Sequence, residues 1–256
     1  MQQLKVALIQ TSIIWESPKE NRLRYEEKLK TIDEPVDLII FPEMFTTGFT
    51  MNAMQVAEAA QGETINWLKT KAQEMNTAIC GSIVIRENNK YYNRFLFAYL
   101  DGSIEKYDKR HTFTLAGEDK VYEAGKERKT INYKGWRICP QICYDLRFPV
   151  WARNIDNYDL LLYVANWPKP RINAWDVLLK ARAIENMAYC IGVNRVGVDT
   201  NGYEYPGHSG IYDVLGNELV FSKKEEILIV NLDKEHMNRY RNKLKFLSDR
   251  DSFTLV

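Results

Sequence analysis

The sequence predicts an α/β or α+β protein in which two packed sheets are covered by outer helices. Short apolar runs alternate with helical patterns along the whole chain, so strands and helices interleave. The strand-like segments are more numerous than a single doubly wound sheet would use, and two packed sheets accommodate them better. No linker or low-complexity stretch divides the 256 residues. We therefore expect one domain over residues 1–256.

Composition excludes several classes of protein. Hydrophobic residues make up 45% and charged residues 27% of the chain, which is typical of a globular protein and excludes intrinsic disorder. The 35 Lys+Arg and 34 Asp+Glu leave a net charge of +1, without the basic excess that binding to nucleic acid or an acidic membrane needs. The N-terminal residues do not show the long apolar region and small-residue cleavage site of a signal peptide, and the most apolar run, Leu160–Ala165, is too short to span a bilayer. These observations predict a cytoplasmic protein without nucleic-acid or membrane partners.

The elements follow one another from an N-terminal strand. Residues 4–10 predict that strand, and Ser17-Pro18-x-Glu20 resembles a capping box with proline at the first helical position. The nearly unbroken apolar run 36–41 predicts a buried strand. The later elements are a helix with Ile65, Leu68, Ala72 and Met75 on one face, strands at 78–86 and 91–100, a turn at Asp101-Gly102, strands at 136–143 and 159–165, a helix at 173–187, strand-like segments at 189–198 and 225–233, and a last helix that Asp233 opens.

Cys143 is the first candidate for chemistry. It ends an apolar strand and precedes a turn, so its sulfur can project into a cleft where the next backbone N–H groups point at an oxyanion. The alternative is a small buried hydrophobic residue, which is common for a free cysteine. Cys139 and Cys143 also form a C-x-x-x-C pair for a metal or redox site. Since no further cysteine pair or histidine cluster is near, we expect no metal.

A catalytic cysteine needs a base. His111 or His208 could supply a Cys–His pair, although no motif surrounds either residue. Glu43 follows a buried strand directly, where desolvation would raise the pKa of its carboxyl toward that of a general base. The alternative for Glu43 is a strand-end carboxylate that faces water. Lys109 lies in a charged cluster typical of a solvated face, but beside a nucleophile it would stabilise an oxyanion.

Three segments in this order resemble the nitrilase superfamily of carbon–nitrogen hydrolases. They are FPEMFTTGF at 41–49, YDKRHTF at 107–113 and ICYDLRFP at 142–149, and the resemblance covers nearly the whole chain. The segments ANWPKPR at 165–171 and ARAIENMAYCIGVNRVG at 181–197, together with CYDLRFPVWARN, are most similar to the omega-amidase subgroup. That subgroup hydrolyses monoamides of 2-oxo dicarboxylic acids.

The resemblance implies a four-layer αββα sandwich of two packed mixed sheets with outer helices, no cofactor, and a homodimer. It implies that Glu43 is the base, that Lys109 stabilises the oxyanion, and that Cys143 is the nucleophile that forms a thioester. Many members carry a second active-site glutamate after the lysine. Glu118 matches that position best, and Glu123 competes with it.

The substrate class that the resemblance implies carries a carboxylate at the end away from the amide. An arginine fork binds a carboxylate in two-point geometry, and Arg171 is expected to be that clamp. Trp167 and Phe49 are expected to form apolar walls, and Tyr144 to supply a backbone N–H. Arg147 is expected to brace the fold through a salt bridge. The remaining alternatives are an N-carbamoyl hydrolase, a nitrilase of the same superfamily, or a non-catalytic binding module.

Overall fold

The computed structural model describes residues 2–254, and two mixed sheets form its centre. The strands are β1 (Gln3–Gln10), β2 (Leu38–Ile40), β3 (Glu58–Ala59), β4 (Ala78–Glu87), β5 (Lys90–Ala98), β6 (Ile104–Asp108), β7 (Ile131–Tyr133), β8 (Trp136–Ile142), β9 (Leu160–Ala165), β10 (Tyr189–Asn194), β11 (Val196–Val198), β12 (Glu204–Pro206), β13 (Ser209–Tyr212), β14 (Glu218–Ser222) and β15 (Glu226–Asp233). The helices are α1 (Pro18–Leu29), α2 (Ala53–Val56), α3 (Glu63–Glu74), α4 (Pro149–Ala152), α5 (Ile172–Asn186) and α6 (Lys234–Leu244).

The strands form two sheets and a short ribbon. Sheet I has the order β15-β1-β2-β4-β5-β6, with β3 beside β4, and sheet II has the order β14-β13-β10-β9-β8-β7. Strands β11 and β12 pair separately, and we call them the β11–β12 ribbon. The predicted Asp101-Gly102 turn is confirmed, because β5 and β6 form an antiparallel hairpin and Gly102 has a φ of +81°.

The period-2 alternation of side chains produces the layers. In β1, Val6 and Leu8 join the core between the two sheets, whereas Ala7 and Ile9 face the helices that cover sheet I. Helices α1 and α3 contribute to that outer cluster, and α5 packs on the outer face of sheet II. The predicted four-layer αββα sandwich is confirmed.

The two ends of the chain show where local patterns succeed and fail. Pro18 occupies the first turn of α1, but the Ser17 side chain makes no capping hydrogen bond, so the predicted capping box does not form. At the other end, the Asp233 side chain accepts a hydrogen bond of 2.8 Å from the backbone N–H of Glu235, as predicted. Met237 of α6 then packs into the core between the sheets.

Within residues 2–254, no helix is long and apolar enough to cross a membrane.

Strand direction determines where the functional loops emerge. Strands β1, β2 and β4 are parallel, and β6 runs with them because two antiparallel pairings separate it from β4. The segments that follow β2 and β6 therefore leave the same edge of sheet I. Strands β8, β9 and β10 are also parallel, so the segments that follow them leave one edge of sheet II. This topology explains how residues from distant parts of the sequence meet.

Candidate active site

A cavity of about 510 Å³ lies where these two edges meet. It brings together six of the eight residues that the sequence predicted for the site. These are Phe49, Lys109, Cys143, Tyr144, Trp167 and Arg171. The other two, Glu43 and Glu118, are buried and contact Lys109. The fold therefore assembles all eight predicted residues in one place.

Two carboxylates hold Lys109, whose side chain is only 1% exposed. The Lys109 Nζ atom donates to Glu43 Oε1 at 2.9 Å and to both carboxylate oxygens of Glu118 at 3.0 and 2.9 Å. Burial lowers the pKa of Lys109, but the charges of Glu118 and Glu43 outweigh burial and raise it above its ordinary value. Burial also raises the pKa of Glu118. The site therefore contains a fixed ammonium group beside the cavity.

Two asparagines that the sequence analysis missed orient Glu43. Asn93 Nδ2 donates to Glu43 Oε1 at 2.7 Å, and the backbone N–H of Asn166 donates to Glu43 Oε2 at 2.8 Å. The Asn166 side chain donates in turn to the Glu43 carbonyl oxygen at 2.6 Å. Asn166 follows a predicted strand end and could have been found by its position. Asn93 lies inside β5 next to Arg94, and no motif in the strand distinguishes it.

Cys143 begins the turn that follows β8, and its backbone has a φ of +46°. Its sulfur lies 4.0 Å from the carbonyl oxygen of Asn166 and faces the cavity. Burial, and then the charge of Glu43, raise the pKa of the Cys143 thiol well above its ordinary value. A raised pKa disfavours the thiolate, so a nucleophilic reaction of Cys143 needs a base that removes the thiol proton.

The structure places the other candidate partners of Cys143 away from its sulfur: Cys139 for a metal or redox site, and His111 and His208 as bases. Cys139 is buried in the cluster between sheet II and α5, where burial raises the pKa of its thiol to about 11. Among residues 2–254 no group of three or more His, Cys, Asp or Glu side chains is arranged to hold a metal. His111 Nδ1 lies 2.7 Å from Asp145, and His208 Nδ1 lies 2.9 Å from Asp176. Neither histidine lines the cavity.

Glu123, the alternative candidate for the second active-site glutamate, does not line the cavity. Glu123 pairs at 3.0 Å with Lys90, and both side chains are exposed to solvent. Glu118 instead accepts a hydrogen bond of 2.5 Å from the backbone N–H of Phe113, so it fixes a cavity-lining loop as well as Lys109. The structure therefore favours Glu118 as the second glutamate.

Two arginines line the cavity wall. The Arg171 guanidinium lies 5.1 Å from the centre of the Phe113 ring, and that of Arg147 lies 5.1 Å from the Trp167 ring. In the described part of the chain neither side chain forms a salt bridge or donates a hydrogen bond. The salt bridge expected for Arg147 was therefore wrong, because the turn after Cys143 directs this side chain to the cavity. Both guanidinium groups retain free donors.

The β11–β12 ribbon and the turn between its two strands form part of the wall that the sequence analysis missed. Asp199, Asn201, Tyr203 and Tyr205 all line the cavity. The Asp199 carboxylate accepts the backbone N–H groups of Asn201 and Tyr203 at 2.9 and 3.0 Å and the Tyr205 hydroxyl at 2.8 Å. These bonds hold the connecting turn in shape. The segment had no motif that pointed to the site.

Comparisons with known proteins agree with this geometry. The family model for carbon–nitrogen hydrolases matches residues 5–242. Omega-amidase YafV of Yersinia enterocolitica is 45% identical over the full length of both chains, and 2-oxoglutaramate amidase of Bacillus subtilis is 32% identical over 95% of this chain and 96% of its own. XC1258 from Xanthomonas campestris, a CN-hydrolase superfamily protein whose crystal structure has an arsenic adduct in the active site, is 41% identical with a TM-score of 0.98 over both full chains. The chain thus belongs to the carbon–nitrogen hydrolase family, the nitrilase superfamily, as an amide-cleaving enzyme similar to its omega-amidases.

Proposed function

We propose that the protein hydrolyses the terminal amide of a 2-oxo dicarboxylic acid, 2-oxoglutaramate or 2-oxosuccinamate, to the acid and ammonia. One observation carries the proposal. The cavity that contains the Cys143 thiol and the Lys109 ammonium also contains the guanidinium groups of Arg147 and Arg171, whose donors have no partner among residues 2–254. The names of the omega-amidase and 2-oxoglutaramate amidase relatives support the same substrate class.

The contacts support a thioester mechanism. Glu43 accepts the thiol proton as the Cys143 sulfur attacks the amide carbon, and the Lys109 ammonium and the Tyr144 backbone N–H hold the oxyanion. Glu43 then delivers the proton to the departing nitrogen, and ammonia leaves a thioester behind. Water that Glu43 activates attacks the thioester carbonyl, which releases the acid and restores the thiol. One N–H of Lys109 can serve both oxygens of Glu118, so another remains for the oxyanion.

A non-catalytic binding module would not need this arrangement. Burying the carboxylates of Glu43 and Glu118 and the ammonium of Lys109 costs desolvation free energy. Only well-placed ion pairs and hydrogen bonds among the three groups offset this cost. The arrangement lies directly beside a thiol in a cavity, which is what general-base activation of a nucleophile requires. The buried cluster therefore favours catalysis over simple binding.

Replacing Glu118 and Glu123 separately should distinguish their roles. Glu118→Gln is expected to lower kcat on the order of 10²-fold, because a positioned group that holds Lys109 is lost. Glu123→Gln should leave kcat within about 2-fold, since an exposed ion pair contributes little. Steady-state ammonia release measures both. The reverse ranking would show that the second glutamate has been misplaced.

Arg171→Met should raise KM for 2-oxoglutaramate by roughly 10- to 150-fold, because a charged two-point contact contributes about 1.5–3 kcal/mol. Hydrolysis of propionamide, which has no carboxylate, should be nearly unchanged. Lys169→Met is the matched control, since Lys169 carries the same charge two residues away but pairs with Glu204. Equal losses for the charged and the neutral amide would make Arg171 structural. Arg147→Met, measured in parallel, shows whether the two guanidinium groups share the carboxylate.

The substrate class is tested by an ammonia-release screen of the wild-type protein. The panel contains 2-oxoglutaramate, 2-oxosuccinamate, glutamine, asparagine, N-carbamoyl amino acids and simple nitriles. The proposal expects the highest kcat/KM for one of the two 2-oxo acid amides. Preference for an N-carbamoyl compound would identify an N-carbamoyl hydrolase, and acid formation from a nitrile would identify a nitrilase. Either result would overturn the substrate assignment and leave the family unchanged.

We also propose that the protein is a homodimer of about 60 kDa, twice the 30.0 kDa chain. Apolar side chains remain exposed on α4 and α5, where Val150 is 53%, Val177 58% and Ile184 46% exposed. Val177 and Ile184 are seven residues apart and so share one helix face. Light scattering should report about 60 kDa for the wild type and a smaller mass for Val177→Asp combined with Ile184→Asp. A stable 30 kDa wild-type particle at micromolar concentration would contradict the dimer.

A further inference from the structure

The turn that carries Cys143 is built around a buried carboxylate that belongs to neither the ion cluster nor the cavity wall. Asp145 is fully buried and accepts four hydrogen bonds, two on each oxygen. The backbone N–H of Ile142 and the Tyr107 hydroxyl donate to Oδ2 at 3.0 and 2.8 Å. The backbone N–H and Nδ1 of His111 donate to Oδ1 at 2.9 and 2.7 Å. No lysine or arginine within residues 2–254 pairs with this carboxylate.

The first of these bonds encloses the strained residue. Cys143 has a φ of +46°, a left-handed conformation that costs a residue with a Cβ about 1–2 kcal/mol. Such a conformation persists only where the surroundings enforce it. The bond from the Ile142 N–H to the Asp145 carboxylate closes the backbone around Cys143, from the residue before it to the second residue after it. Asp145 thereby opposes relaxation of the turn.

The other bonds connect this turn to the lysine across the two sheets. Tyr107 lies two residues before Lys109 and His111 two residues after it, and both donate to Asp145. The His111 ring also stacks on Phe148, with centroids 3.7 Å apart and planes at 5°. The segment that carries Lys109 is therefore tied to the turn of Cys143 on both sides of the lysine.

We propose that Asp145 is a positioning residue that holds Cys143 in its left-handed conformation and fixes its distance from Lys109, with His111 as its main partner. This inference rests on the proposed function, because it assigns Asp145 an effect on the Cys143 nucleophile. Asp145 is fully buried and does not line the cavity, so we expect it to make no contact with a bound substrate. Its loss should therefore lower kcat and leave KM almost unchanged.

The chain offers a matched control. Asp213 is also buried and also accepts two backbone N–H groups, those of Leu215 and Asn217, and it contacts His236 Nε2 at 3.2 Å. This aspartate–histidine pair lies beside the turn between β13 and β14 and does not line the cavity. Replacing Asp213 or His236 therefore removes similar hydrogen bonds and leaves the turn of Cys143 unchanged.

The experiment measures kcat and KM for 2-oxoglutaramate and for propionamide. The test variants are Asp145→Ala, Asp145→Asn and His111→Phe, and the control variants are Asp213→Asn and His236→Phe. Thermal unfolding checks that each variant is folded. Asp145→Ala is expected to lower kcat on the order of 10²-fold for both amides with KM within about 3-fold, the scale of a small misplacement of reacting groups. Asp145→Asn should recover part of this loss, because its amide oxygen still accepts. His111→Phe keeps the stack on Phe148 and should lower kcat less than Asp145→Ala.

The outcomes separate this inference from the proposed function. Folded Asp145→Asn and His111→Phe variants with wild-type kcat, or kcat losses equalled by the Asp213 and His236 controls, would overturn the positioning role. These two variants decide the question if Asp145→Ala does not fold. A Cys143→Ala variant that retains turnover would instead overturn the cysteine mechanism of the proposed function, whatever the Asp145 variants show.

Discussion

Replacing Cys143 with alanine is expected to abolish turnover and to leave the fold intact. The mechanism forms its covalent intermediate on this sulfur, and alanine offers no nucleophile. Because the sulfur faces the cavity, its removal opens little space in the core, and the free energy of unfolding should change by less than about 2 kcal/mol. Ammonia release and denaturant unfolding measure the two effects.

Cys139→Ala is the control for this prediction. Its sulfur lies in the packed cluster between sheet II and α5, so the change should affect stability and leave turnover in place. Intact-mass measurement during turnover should detect an acylated wild-type chain and no such species for Cys143→Ala. Wild-type turnover in the Cys143 variant would remove the thioester mechanism altogether.

Glu43→Gln is expected to lower kcat by roughly 10²- to 10⁴-fold, the contribution of a positioned general base. The amide cannot take the thiol proton or return it to the leaving nitrogen. All the neighbours of the Glu43 carboxylate named above are donors: Lys109 Nζ, Asn93 Nδ2 and the Asn166 N–H. The amide NH₂ must therefore face a donor, which should destabilise the fold by about 1–3 kcal/mol.

Glu58→Gln is a suitable control for Glu43→Gln. Glu58 is also mostly buried, accepts the backbone N–H of Thr64 at 2.7 Å and lies 3.6 Å from Arg22, but it does not line the cavity. This variant should lose stability and keep its kcat. A Glu43→Gln variant within about 10-fold of wild-type kcat would show that another group removes the thiol proton.

Local pattern predicted the longer strands and helices, and the resemblance to the family supplied the four-layer arrangement. Period-2 alternation in β1 already separates Val6 and Leu8 from Ala7 and Ile9, and the fold places these pairs in different layers. Asp233 predicted the start of α6 because capping depends on a few adjacent residues. The capping box predicted at Ser17 does not form: Pro18 lies in the first turn of α1, but the Ser17 side chain makes no capping hydrogen bond.

The sequence by itself therefore determined the main strands and helices and the strand-end positions of Glu43 and Cys143, because periodicity and turns are properties of neighbouring residues. The four-layer arrangement came from the resemblance to the family. Only the tertiary structure decided what surrounds Glu43 and Cys143. Asn166 meets Glu43 across 123 residues of chain, and Asp145 meets Tyr107 across 38. Such contacts depend on how two twisted sheets pack and where their parallel strands end, and no local pattern in one chain encodes that geometry. For the same reason the direction of Arg147 became clear only in the folded cavity.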